Sequence, residues 1–128
     1  MTPKRQNTKK KEKEKKMKLE EIKTKLNLKI LSAEECLDNE VAGAYTGDLL
    51  SDVIANSKEK YLWITLQVHL NIIAVAKLKE LAGIIIVNGR QPDSDTLKKA
   101  EEEKCPLLLT EKNSFDTSGE LYQLLKGK

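Results

Sequence analysis

One histidine and two cysteines are all that this 128-residue sequence offers as soft metal ligands. Cys36 and Cys105 stand far apart and outside any Cys-x-x-Cys pattern, so neither a zinc centre nor any other metal site is expected. Two free thiols fit a reducing cytoplasm. No apolar stretch approaches the eighteen residues of a membrane span, and the amino terminus has no apolar core of a secretory signal. Also missing are a GxxxxGK[ST] phosphate loop, GxGxxG, GxSxG and HExxH. These absences exclude the common nucleotide-hydrolysing, dinucleotide-binding, serine-hydrolase and metalloprotease designs. No catalytic residues and no cofactor are implied.

Charge is plentiful but unevenly placed. Residues 1–18 carry nine Lys/Arg against two Glu, a surplus of seven, whereas residues 19–128 carry fourteen Lys/Arg against eighteen Asp/Glu, giving −4. The net +3 therefore hides a mildly acidic body behind a basic end. Between Thr2 and Lys16 no apolar residue occurs, so residues 1–16 are expected to form a disordered basic tail. Short charge runs are usually solvated, and a solubilising tail is favoured over a nucleic-acid arm. Residues 17–128 have the length of one domain with its own core, in a chain that is 39% hydrophobic as a whole.

Periodicity then divides the body. Met17–Leu26 reads as a short amphipathic helix through Leu19, Ile22 and Leu26. Leu28–Leu31 and Glu40–Thr46 read as strands. Thr46-Gly47-Asp48 is a sharp turn, with Asp48 placed to cap a helix starting at once and carrying Leu49, Leu50, Val53 and Ile54 on one face. Tyr61–Leu66 is nearly continuous apolar, as expected of a strand buried on both faces, with Tyr61 and Trp63 serving packing. Helix Leu70–Leu81 follows, then Gly83–Val87, short and β-branched, as the central strand. Pro92-Asp93 opens a polar surface helix, Asp93 as its cap, with only Leu97 and Ala100 inward. Strand Pro106–Thr110 and a helix carrying Leu121, Leu124 and Leu125 finish the chain. This alternation predicts a single α/β domain: a mainly parallel sheet with helices on both faces, three layers α/β/α.

In such a sheet, ligands favour the loops after the strand carboxyl ends. Those loops offer Thr46, Gly47, Asp48, Gln67, His69, Asn88, Gly89, Arg90 and Thr110 as a candidate ligand-binding set. Arg90, Lys112 and nearby helix amino termini would suit an anion. His69 reads more simply as a hydrogen-bonded structural residue beside Gln67. Asp48 and Asp52, placed four apart on one helix, read as a cap plus surface charge. The uncharged run Val41–Tyr45 is the surface the sequence offers for self-association, unless its small residues make room within the chain.

LDNEVAGAYTGDLLSDV (37–53), YLWITLQVHLNIIAVAKLKEL (61–81), GIIIVNGRQPD (83–93) and PLLLTEKNSFDTSGELYQLL (106–125) together resemble the DRTGG domain family. Asp38, Gly43 and Gly47 stand where that family has them. Asn39 replaces the usual arginine, Ala42 the usual threonine, and Ala44 a common glycine, so a polar contact made by that arginine and threonine would be lost here. The resemblance implies an α/β domain similar to the N-terminal domain of HPr kinase/phosphorylase. It also implies a regulatory or assembly-forming module that is not an enzyme, a homodimer, and a protein partner or small anionic ligand. Membrane and nucleic acid are not expected partners.

Overall fold

A computed structural model describes residues 17–127; the expected tail, 1–16, lies outside them. Five strands form the main sheet: β2 (Lys29–Ser32), β4 (Gly43–Thr46), β5 (Tyr61–Thr65), β6 (Gly83–Ile86) and β7 (Leu107–Leu109), in the order β2-β7-β6-β5-β4. All neighbours are parallel except β2 and β7. Gly83–Val87 is therefore central, as its composition predicts. Its apolar run and that of β5 are continuous because both faces are covered: Leu62, Ile64 and Ile85 enter one core, and Trp63, Ile84 and Ile86 the other.

Helices α1 (Leu19–Leu26) and α5 (Ser114–Lys126) cover the first face through Leu19, Ile22, Leu26 and Leu121. Helices α2 (Leu50–Asn56), α3 (Asn71–Lys79) and α4 (Ser94–Glu102) cover the second through Val53, Ile72, Ile73, Val75, Ala76 and Ala100. The three-layer α/β/α reading thus holds. The four parallel strands are visited in spatial order, with α2, α3 and α4 as successive crossovers on one face.

Five local expectations are corrected. Met17 and Lys18 do not begin the first helix. They form β1, an antiparallel ribbon with β3 (Glu40–Val41), with Met17 opposite Val41. The single strand expected over Glu40–Thr46 is therefore split at Ala42 between two sheets. The helix after Thr46-Gly47-Asp48 starts only at Leu50, so Asp48 neither caps it nor shares it with Asp52. On α2 only Val53 is buried, Leu50 is half-buried, and Leu49 and Ile54 face solvent. On α4, Thr96 also turns inward and donates its hydroxyl to the Val68 carbonyl (3.0 Å).

Small residues in the signature stretch have mixed reasons. A Cβ on Gly43 would lie 2.6 Å from the ring of Tyr61, its partner across the β4–β5 ladder. Val41 and Gly43 are thus used inside the chain, while Ala42 is exposed and Ala44 half-buried.

Candidate functional site

The loops after β4, β5, β6 and β7 do meet along one edge of the sheet, and hydrogen bonds close them on one another. Asp48 is the hub of the first pair. Its carboxylate accepts the hydroxyl of buried Thr65 (2.8 Å) and the Leu66 N–H (2.9 Å), and its carbonyl accepts the Gln67 side-chain amide (2.8 Å). This is why Asp48 is not a helix cap: a buried hydroxyl and a loop N–H claim the same oxygen. The Trp63 indole N–H is directed at the Gly47 carbonyl (2.8 Å), fixing the turn from below. Thr46 pairs its hydroxyl with that of Ser118 on α5 (2.8 Å).

The Asn88-Gly89 turn is closed equally firmly. Asn88 (φ 61) and Gly89 (φ 62) are both left-handed, and Arg90 N–H returns to the Val87 carbonyl (3.2 Å). Such a reversal requires positive φ at both central residues and favours Asn-Gly. Their own N–H groups donate to the carbonyls of Lys112 and Thr110, both at 2.8 Å. The backbone donors that could cradle a phosphate are therefore already engaged with protein carbonyls.

His69 sits at the start of α3 with Nδ1 2.7 Å from an Asp93 carboxylate oxygen, and both side chains are largely exposed. Its partner is Asp93, not Gln67. Asp93 occupies the cap position of α4 by backbone conformation, but its side chain makes no capping bond. Arg90 is exposed, and Lys112 is held by Glu120 (2.7 Å). Asp52 receives the Tyr45 hydroxyl, which pushes the phenol above its ordinary pKa. Apolar side chains share this rim: Leu49, Leu70 and Phe115, the first residues of or just before α2, α3 and α5, are 68%, 42% and 85% exposed.

The opposite edge carries a cleft that the reading of the sequence missed. About 460 Å³ in volume, it is lined in part by Asn39, Glu40, Lys60, Lys77, Glu103 and Cys105. Its lysines are matched by carboxylates: Lys60 lies 3.6 Å from Glu40, and Lys77 3.5 Å from Glu103. Lys99, with Lys77, holds the Glu103 carboxyl below the usual range. Burial pushes the Cys105 thiol up to about 12. Asn39 donates to the Ala82 carbonyl (3.1 Å), so the residue standing at the expected arginine position contacts the strand lead-in of β6. The signature segment itself was the available signal: Asp38–Gly43 lies at this edge, not at the loop edge. Among the described residues, no group of three or more His, Cys, Asp or Glu could hold a metal ion, and no helix is long and apolar enough to cross a membrane.

Comparison with known proteins adds a family and a fold. The DRTGG domain model matches residues 21–124. No curated protein matches the chain. A crystal structure of the CBS and DRTGG domains of the regulatory region of Clostridium perfringens pyrophosphatase, complexed with its activator diadenosine tetraphosphate, superposes with a TM-score of 0.67 at 17% identity. That match covers 86% of this chain and 48% of the other, so the chain spans about half of the structure it resembles.

Proposed function

This chain belongs to the DRTGG domain family, and we propose that it acts as a regulatory or adaptor module without catalytic activity, homodimeric and cytoplasmic. The observation that carries this reading is the closure of the loop edge. Asp48 and His69, the residues with the chemistry for proton transfer, have Thr65, Leu66 and Asp93 as partners. A general base needs reach to a substrate proton; here the neighbouring groups are those that hold the loops together. Exposed apolar side chains, Leu49, Leu70 and Phe115, stand beside them, as suits protein contact. The expected likeness to the N-terminal domain of HPr kinase/phosphorylase belongs to the same reading, a module that acts beside catalysis. Two free cysteines accord with the cytoplasm.

A second reading is a sensor for an anionic, nucleotide-like ligand at the loop edge. Exposed Arg90 and His69 favour it, as does the activator bound to the Clostridium perfringens regulatory region. One experiment separates the two. Purified full-length protein is assayed for ATP turnover and screened by thermal shift against nucleotides and phosphorylated metabolites. A ligand at 100 times its Kd stabilises by about 2.7 kcal/mol, on the order of 10 °C for a domain this size. The adaptor reading predicts no turnover and no such shift. A shift removed by Arg90→Ala establishes the sensor instead, and turnover abolished by His69→Ala overturns both.

A further inference from the structure

Helix α5 bears a surface with no partner among the described residues. Phe115 is 85% exposed and Tyr122 61%. With Gly119 and Lys126 they fall at i, i+4, i+7 and i+11, one stripe along the solvent side of the helix. The middle of that stripe is a glycine where a helix gives no local reason for one: Gly costs about 1 kcal/mol against Ala in a helix interior. A Cβ added at Gly119 would meet nothing within 4 Å. Neither backbone conformation nor internal packing calls for the missing side chain.

Beside the stripe, α5 and edge strand β4 leave a mainly apolar cleft of about 170 Å³ lined in part by Ala44, Ile64, Leu121, Tyr122 and Leu125, with Lys126 and the hydrogen-bonded pair Thr46 and Ser118 also on its wall. A dry cavity of roughly 150 Å³ accepts a benzene ring, so this cleft has the size for one aromatic side chain. The exposed ring and the empty socket lie on the same helix, on opposite sides of Gly119.

We infer that the α5 stripe is the two-fold interface of the proposed homodimer, with the two α5 helices crossing antiparallel at Gly119 and Phe115 of each copy entering the α5–β4 cleft of the other. A two-fold through Gly119 sets a residue four positions before it opposite one four positions after it. Phe115 thus faces the Tyr122–Lys126 end of the second helix, where the cleft opens. The contact is isologous, as a closed dimer requires. The bare Gly119 lets the helix axes approach to the short end of the usual 8–10 Å. A second copy is the occupant because knob and socket complement each other within one chain. The inference rests on the homodimer reading and assigns its surface.

Sedimentation equilibrium of the full chain from 1 to 100 µM tests it, with Phe115→Asp and Ala44→Arg as variants. Phe115 is so exposed that its replacement leaves the fold intact, which the far-UV spectrum and melting curve check on monomer. The expected result is a wild-type dimer weakened about 30-fold or more by either change, the range of a central interface anchor. A dimer that tolerates both changes overturns this interface and leaves the homodimer standing. A wild type that is monomeric throughout overturns both, and another protein then covers the stripe. As a second readout, Gly119→Cys in a Cys36→Ser background should cross-link to covalent dimer under mild oxidation, since the axis sets the two positions side by side. Absence of that cross-link in a protein that sediments as a dimer also overturns the inference.

Discussion

Single side chains in this protein settle questions that motifs leave open. Asp48 is the clearest case, because one carboxylate satisfies a hydroxyl that is 0% exposed and a loop N–H. Asp48→Ala leaves both donors without that partner and should cost about 1–3 kcal/mol in urea denaturation, the usual penalty for an orphaned polar group. Asp48→Asn keeps an acceptor and should recover most of it. A loss below about 0.5 kcal/mol for Ala would place Asp48 with ordinary surface residues. Gly89 has a different reason: at φ 62 against the Glu111 carboxylate, it should lose about 1–2 kcal/mol as Gly89→Ala from the left-handed strain alone. Cys105 gives a pH dependence. Burial raises its thiol from 9.0 to about 12 in the folded chain, so the unfolded chain loses that proton first. The contribution is fully present below pH 9 and is lost as pH rises toward 12. Denaturant midpoints should fall across that window, and Cys105→Ala should flatten that part of the profile. At pH 8 native Cys105 should resist alkylation until the protein is unfolded.

At the scale of elements, β6 carries the largest single stake. Ile85 is 0% exposed between sheet and covering helices, and Ile85→Ala should open a cavity costing about 2–5 kcal/mol. That strand and β5 were legible from sequence because burial on both faces writes an unbroken aliphatic run. Helix α3 was legible for a related reason, its apolar first two turns. The ribbon of β1 and β3 was not: two residues have no period, and Met17 finds Val41 only through tertiary pairing. The cap read at Asp48 failed because the spacing does not reveal a competing hydroxyl on β5. The candidate site divides in the same way. Its loops could be placed on one edge from the order of strands and helices, whereas the engagement of their N–H groups by Thr110 and Lys112 depends on contacts between strands and left no mark in the sequence. Ser32 is a further example. At the irregularity where β2 meets β7, its hydroxyl donates to the Cys105 carbonyl (2.9 Å) and accepts from Leu107 N–H (3.0 Å). Nothing near Ser32 in the sequence announces that double role.

For the whole molecule, the decisive feature is that the sheet is wound in one direction. The parallel strands advance without reversal, so no crevice forms between crossovers that diverge to opposite faces, the place where open α/β sheets usually hold their ligands. The two cores share every central strand, which should make unfolding all-or-none. Trp63, the single tryptophan and fully buried, reports one core, while far-UV dichroism reports all helices. Their urea transitions should coincide; an earlier tryptophan transition would mean that the α2–α4 face opens independently.

The antiparallel seam between β2 and β7 joins the first strand of the sheet to the last, with Ser32 and Leu107 75 residues apart. On a ribosome moving at about 5–20 residues per second, β2 therefore waits roughly 4–15 s after its own synthesis for its sheet neighbour among the described residues to be made. Helix α5, which completes the cover over the first core, is made later still. Until then the aliphatic strands β5 and β6 are finished but have only α1 to cover them on that side. Nascent chains of this protein should depend on holding factors until β7 and α5 have been made and then close in a single step.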